Sequence, residues 1–479
     1  MAEQNSEGRN ARPIGGSLDT AKTGNGAGAP RSNILSKEAY VSPEYVHLER
    51  QFLWPKVWQV ACREEELKRP GDYITYEISD ESVIVVRAED GRIRAFNNAC
   101  MHRARRLTTG CGHATKLFCR FHGWRWDLNG RIEQIPDRED WSEQLTDDEV
   151  SLPEFKTGTW GGFVFITFEA DAEPLLDYLA PIPQFLDCFE IDRMRYQSYV
   201  TFDVDANWKT AQEAFTEAYH IQTAHRQISP YMDSRATTHI RGKHMQMIDA
   251  LEPQVGHHAA NPETDMRAAL LQVYREFSDG IPFSKRSYGV ATRLMELPAT
   301  ATLPELGMKL YEMQKEAAIA AGAGWPSAPI MQMAQAGVDW NFFPNVTCVL
   351  SPDAAIFYRV RPKGSDPDRC VFDLWRLERY APGVEPKLER QIYKAWTDYP
   401  DMPLVLKQDF QNIADVQAGM KTSAWKGARL NPRLEVSISH FHQVLQQYLG
   451  ARTAASEPTA AQGSAPIATG QASRASSHG

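Results

Sequence analysis

The 479-residue chain has no long hydrophobic run. Its longest apolar stretch, WGGFVFITF around 160–168, is under half of the roughly 20 residues a membrane helix needs, so no span is expected. It has no charged segment followed by an apolar one at its start, so no secretory leader is expected. It has no excess of basic residues: 61 acidic against 52 basic side chains give a net charge of −9, which argues against nucleic acid as a partner. Internal repeats are absent. The seven cysteines show no disulfide spacing, which suits a reducing, cytoplasmic compartment. Large apolar residues are scarce in 1–33 and again in 452–479, so both are expected to be disordered tails.

Between the tails the chain is long enough for two domains. Four residues dominate the first of them. Cys100-x-His102 lies in FNNACMHRARRL and Cys119-x-x-His122 in LFCRFHGWRWDLNGRI. Two thiolates and two imidazoles are the ligand set of a Rieske [2Fe–2S] cluster, with Cys on one iron and His on the other. Neutral imidazoles leave that cluster less negative and raise its potential. A Cys2His2 zinc site is the alternative, but zinc fingers pair Cys with Cys and His with His along the chain. Cys111, between the two pairs, reads as a buried free thiol rather than a further ligand. Aromatics and charges in a helical pattern over 40–60 predict a lead-in helix, and alternating β-branched and aromatic residues over 70–170 (DYITYEI, SVIVVRA, RIRAFNN, GGFVFITF) predict short strands.

With these motifs the chain resembles the large (alpha) subunits of Rieske non-heme iron oxygenases, the ring-hydroxylating family. The resemblance covers about 40–450. It implies an α+β protein: a Rieske domain over 40–175 with a lead-in helix, then a catalytic domain over 180–450 of antiparallel sheet around helices, of helix-grip, START-like type. It also implies a mononuclear Fe(II) held by two His and one carboxylate, the facial triad of O2-activating centres. NWKTAQEAFTEAYHIQTAHR supplies His220 and His225. On an ideal helix these lie roughly 140° apart, so the helix must be distorted or end between them, near Thr223. Asp409, in LVLKQDFQNIADVQAGM on a helix predicted from about 385, is the expected third ligand; Asp415 competes. Lys407-Gln408 stand where the family usually has an acid before the ligand.

The resemblance assigns further roles. Glu217 takes the place of an Asp that bridges the iron site to the cluster of a neighbouring subunit; the branch acting on quaternary amines such as carnitine has Glu there. Asn207, in NWK, matches a motif kept near the iron. His239, His244, His257, His258, His440 and His442 are not expected to be ligands. Phe215 flanks the metal site, and Phe342 and Phe343 are either pocket or core. The Ala- and Met-rich stretch 255–340 is read as a helical layer or a cap over the pocket. The activity implied is that of a terminal oxygenase using O2 and NAD(P)H electrons, delivered by a reductase with or without a ferredoxin. Dihydroxylation of an aromatic ring is the favoured reaction. A monooxygenase or demethylase acting on a quaternary amine is the alternative, and a Rieske electron carrier a remote one. A homotrimer or an alpha3beta3 assembly is expected, with no nucleic acid and no membrane.

Overall fold

The computed structural model describes residues 34–227, 236–248, 265–277 and 283–450. The expected tails, His257 and His258 lie outside the described residues.

The first strands follow the predicted alternation. They are β1 (Gln59–Arg63), β2 (Asp72–Ile78), β3 (Glu81–Arg87), β4 (Ile93–Asn97) and β5 (Cys111–His113). After a small antiparallel sheet of β6 (Leu117–Phe118), β7 (Arg125–Trp126) and β8 (Ile132–Gln134) come β9 (Glu154–Trp160) and β10 (Phe163–Thr167). The larger sheet runs β1-β10-β9-β4-β3-β2-β5, all antiparallel. Successive side chains of a strand point to opposite faces. On β3, Val83 and Val85 therefore enter the main core, while Ile84 and Val86 enter a second core that also holds Cys100, Cys119, Trp124 and Trp126. The sheet separates the cysteine pair from the bulk of the molecule.

The second sheet has eight strands: β11 (Arg195–Val204), β12 (Thr237–Arg241), β13 (His244–Ile248), β14 (Asp339–Phe342), β15 (Val346–Leu350), β16 (Ala354–Pro362), β17 (Cys370–Glu378) and β18 (Arg390–Tyr393). Their order is β12-β13-β14-β15-β16-β17-β11-β18, and only the β11–β18 pair is parallel. The helices that build the site include α1 (Pro43–Phe52), α2 (Trp208–Glu213), which packs on this sheet, the single turn α3 (Ile221–Ala224) and α4 (Met266–Phe277). Three more follow: α5 (Leu303–Ala320), α6 (Leu404–Met420) and α7 (Val436–Leu449). Phe410 of α6 meets Phe202 and Phe372 of the sheet with ring centroids 5.0 Å away in both cases.

Two helices are shorter than expected. The lead-in helix ends at Phe52, and Pro55 follows in a short 3-10 turn before β1. The helix bearing Asp409 begins at Leu404 rather than near 385, because Pro400 and Pro403 disfavour helix in the residues before them. Strand β18 occupies part of the expected helix.

The expected boundary at 175–180 falls in the short helix Leu175–Leu179, yet one apolar core runs across it. Phe163 of β10 packs on Phe357 and Trp375 of the second sheet, with centroids 4.7 and 5.7 Å apart. Arg359 crosses the same seam. Its guanidinium donates to the carbonyls of Val60 and Ala61 at 2.6 and 2.8 Å and pairs with buried Asp373 at 2.7 Å. Burial alone would raise the Asp373 pKa, but Arg359, Arg361 and the Thr201 hydroxyl outweigh it and hold it below the ordinary aspartate value. Removing one member of a buried pair strands the other charge, at a cost of about 3–5 kcal/mol. Arg361 keeps Asp373 paired at 3.0 Å, so Arg359→Leu is expected to lose stability at the lower end of that range, about 3 kcal/mol. Denaturant unfolding followed by tryptophan emission measures it, and an unchanged midpoint would refute the role given to Arg359.

Candidate active site

The two Cys/His motifs form matching tight loops. The amide of Ala104 donates to the Cys100 carbonyl at 2.9 Å, and that of Gly123 to the Cys119 carbonyl at 3.0 Å. The fifth residue of each loop is left-handed, with φ +54° at Ala104 and +80° at Gly123. Glycine takes this conformation freely, and Ala104 takes it against its own preference. The loops bring the ligand-type atoms together by kind. Cys100 and Cys119 are buried beside each other; burial pushes the Cys100 thiol up, and the neighbouring Cys119 thiol adds to this. His102 and His122 lie at the surface with their Nδ1 atoms 3.1 Å apart. His102 stacks on Trp124, with centroids 5.1 Å apart and planes 9° apart.

A single zinc ion would need all four atoms in one sphere. Among the described residues, only His220, His225 and Asp409 form a group of three or more metal-binding side chains with ligand atoms within 4.8 Å of one another. The Cys pair and the His pair instead form two separate couples, as a two-iron cluster with Cys on one iron and His on the other requires. Cys111 takes no part: it lies on edge strand β5 and is exposed, not buried as expected.

The second group is assembled from a broken helix. Asn207 caps α2, its side chain accepting from the Lys209 amide at 3.0 Å, and the helix stops at Glu213. Phe215 anchors the following turn among Tyr358, Phe372 and Phe410, at 4.8, 5.3 and 5.6 Å. Glu217 accepts from the amides of Tyr219 and His220, which fixes the entry to α3. His220 lies just before that single turn and His225 just after it, where the backbone leaves helical geometry. The break expected near Thr223 is not there: Thr223 lies inside the turn, and the helix is interrupted before His220 and ends at His225.

The result is three converging atoms. Nε2 of His220 and Nε2 of His225 are 3.2 Å apart, and Oδ1 of Asp409 is 3.5 Å from the first and 3.0 Å from the second. Bonds of about 2.1 Å at right angles to one ion place ligand atoms about 3 Å apart, so the residues fit a facial triad. Asp409 sits in the apolar stripe of α6 with Val405, Leu406, Phe410 and Ile413, while Asp415 is exposed. The other nitrogen of each ring is also held. His220 Nδ1 meets Glu217 Oε1 at 2.7 Å, and His225 Nδ1 meets Gln408 Oε1 at 2.9 Å. Burial works against a proton on His220, but Glu217 and Asp409 outweigh it and raise its pKa above the ordinary histidine value.

A cavity of about 490 Å³ opens on this triad. Its wall is mainly apolar and aromatic: Phe215, Tyr274, Phe277, Phe283 and Tyr358, with Leu270, Val273 and Val405. Met266, Leu303 and Gln314 line it too, so the segment read as a helical layer or a cap contributes α4 and α5 to the pocket wall. Phe342 and Phe343 do not line it; they are 3 % and 2 % exposed and belong to the core. On its outer side His220 borders an open recess with Thr223, Arg226, Gln408 and Asn412.

Residues 191–451 match the family model of the ring hydroxylating alpha subunit catalytic domain, and residues 57–156 match the Rieske [2Fe-2S] domain. The chain belongs to the ring-hydroxylating alpha subunit family. As a member it is a Rieske-type terminal oxygenase, an oxidoreductase using O2, with a [2Fe–2S] cluster and a mononuclear iron; electrons from a reductase are typical of the family. It is 25% identical over 412 residues to the glycine betaine monooxygenase oxygenase subunit of Chromohalobacter salexigens, covering 85% of this chain and 84% of that one. It is 29% identical over 200 residues to the anthranilate 1,2-dioxygenase large subunit of Acinetobacter baylyi, covering 40% of this chain and 42% of the relative. Among solved structures, a quaternary ammonium Rieske monooxygenase in complex with L-carnitine aligns with TM-score 0.60 at 17% identity, over 87% of this chain and 96% of that one. Naphthalene 1,2-dioxygenase from Rhodococcus aligns with TM-score 0.57 at 18% identity, over 88% and 95%. At such identity these two speak for the fold. Among the described residues no helix is long and apolar enough to cross a membrane.

Several expectations need correction. Asn207 does not reach the triad. Its side chain accepts from Lys209 and donates to the Pro367 carbonyl at 2.9 Å, so it serves as a helix cap. His442, which was not expected to be a ligand, has its Nε2 2.6 Å from Glu213, an acid remote in sequence. His244 is bonded to the Tyr178 carbonyl and the Phe343 amide, and burial lowers its pKa to about 3. Sequence reasoning also missed Glu49, the fully buried partner of Lys209 at 2.5 Å, which ties α1 to the segment that leads to His220 and His225.

Proposed function

We propose that Cys100, Cys119, His102 and His122 hold the cluster, that His220, His225 and Asp409 hold the mononuclear iron, and that the oxygenase hydroxylates a carbon bonded to nitrogen in a quaternary or tertiary amine. The observation that carries the substrate class is the cavity wall. Five aromatic rings surround it, Glu217 and Asp339 border it, and no Lys or Arg is among the described residues that line it. Ring faces attract a methylated ammonium by cation–π interaction, worth about 2 kcal/mol once the site is desolvated, and such a group needs no hydrogen-bond acceptor. The similarity to a glycine betaine monooxygenase over 85% of the chain supports this reading. Glu217 supports it as well, since the family resemblance links Glu at that position to amine oxidation.

When bound, the two iron centres supply one-electron transfer and O2 activation. The chain supplies the rest. Glu217 orients the His220 ring, and the apolar wall excludes water and turns one carbon of the substrate toward the triad. Insertion of one oxygen atom at an N-methyl carbon, with two electrons and two protons reducing the other atom to water, gives an N-hydroxymethyl product. That product breaks at the C–N bond to release formaldehyde and the demethylated amine.

Dihydroxylation of an arene, the reaction first expected, remains the second reading. The same apolar rings favour it, and the anthranilate and naphthalene dioxygenases represent it among the similar proteins. We further propose a cyclic trimer in which a neighbour's cluster docks at the recess beside His220, so that electrons enter through Glu217 and His220.

Two experiments test this function. The first offers the protein, a reductase and NADH a panel of quaternary amines, tertiary amines, arenes and methoxyarenes under 18O2. One labelled oxygen with aldehyde released from an amine is expected; a cis-diol with two labelled oxygens would overturn the amine reading in favour of the arene one. The second uses Glu217→Gln, which is expected to keep both metal centres and lose nearly all turnover. Normal coupled turnover in that variant would end the proposed electron path.

A further inference from the structure

Resting on the iron site proposed above, the structure points to a residue that nothing else assigns. We infer that Gln408 is the positioning residue for the ligand His225, and that it sets the affinity and potential of the iron through a neutral amide in place of a carboxylate.

Consecutive residues of α6 bracket the His225 ring. Asp409 Oδ1 lies 3.0 Å from Nε2, on the triad side, and Gln408 Oε1 lies 2.9 Å from Nδ1, on the far side. The ring is 2 % exposed, so water does not compete for Nδ1. An acceptor at Nδ1 places the ring proton there and leaves the Nε2 lone pair for the metal.

The Gln408 amide presents its oxygen to the ring, and a second residue braces it there. Gln227 Nε2 donates to Gln408 Oε1 at 2.8 Å, and Gln408 Nε2 donates back to Gln227 Oε1 at 3.1 Å. In this reciprocal pair the Gln408 oxygen accepts from both His225 and Gln227, and its NH2 faces away from the histidine. Gln227 lies two residues after His225, so the pair also ties the chain after α3 to α6.

The two imidazoles are therefore backed differently. His220 is backed by the carboxylate of Glu217, at 2.7 Å, and His225 by an amide. A carboxylate behind a metal-bound histidine makes the ring a stronger donor. One such contact accompanies the Asp409 ligand charge here, and Gln408 withholds a second.

The test is anaerobic Fe(II) titration of full-length protein freed of its mononuclear iron, with the cluster absorption as the check on folding. Gln408→Leu is expected to bind Fe(II) about 10–100-fold more weakly. Gln227→Leu is expected to lose less, because the bond from His225 to Gln408 survives. Gln408→Glu restores an acceptor, so its Fe(II) affinity should return close to that of the unaltered protein. Its mononuclear iron should have a lower potential and a changed EPR signature of the nitric oxide complex. Unaltered Fe(II) affinity in Gln408→Leu would overturn the inference, and so would a Gln408→Glu variant as weak as Gln408→Leu. If Gln408→Leu loses its cluster absorption, Gln408→Glu decides alone, and an unchanged potential with an unchanged EPR signature would overturn the inference. Failure of the unaltered protein to take up a third iron would remove the iron site itself and this inference with it. Normal uptake by Gln408→Leu removes this inference only.

Discussion

Two imidazole nitrogens and a carboxylate oxygen lie 3.0–3.5 Å apart, and the rest of the site depends on that approach. Lone pairs this close repel unless a cation or a proton lies among them, and burying them raises the cost. The chain accepts this by locking each group from behind. Glu217 holds His220, Gln408 holds His225, and the apolar stripe of α6 holds Asp409. The backbone serves the same end by leaving helical geometry at His225, since a continuous helix would point the two imidazoles roughly 140° apart.

The surrounding fold makes the locks rigid. α6 lies against the eight-stranded sheet through Phe410, and the α2 segment is pinned through Lys209 and Glu49 to a helix from the far end of the chain. Arg359 and Phe163 carry the same core into the sheet that holds the Cys/His loops. The main apolar core thus joins the sheet that backs the Cys/His loops to the sheet that carries the triad. The His102/His122 pair lies at the surface while Cys100 and Cys119 are buried, and the triad presents His220 to an open recess. Both features suit electron entry from outside the chain.

The site was legible in sequence where its geometry is local. The Cys100/His102 and Cys119/His122 loops close within five residues, so spacing alone indicated them. Strands with a two-residue alternation were legible for the same reason. Asp409 was reached through resemblance, although its phase with Val405, Leu406, Phe410 and Ile413 marks it as a carboxylate on a buried face, which Asp415 is not. What sequence could not reveal were pairings between remote segments: Glu49 with Lys209, Glu213 with His442, Gln408 with His225. Asn207 was read as a site residue from its motif alone, and its hydrogen bonds show it spent on a helix start. The start of α6 was misread because Pro400 and Pro403 were not weighed against the helical pattern.

The central claim is that one chain holds two separate iron centres. Anaerobic determination of iron and acid-labile sulfide in the unaltered protein and in His225→Ala tests it most directly. The account predicts three irons and two sulfides per chain, falling to two irons and two sulfides in His225→Ala with the cluster absorption unchanged. Two irons in the unaltered protein, or three retained in His225→Ala, would contradict it.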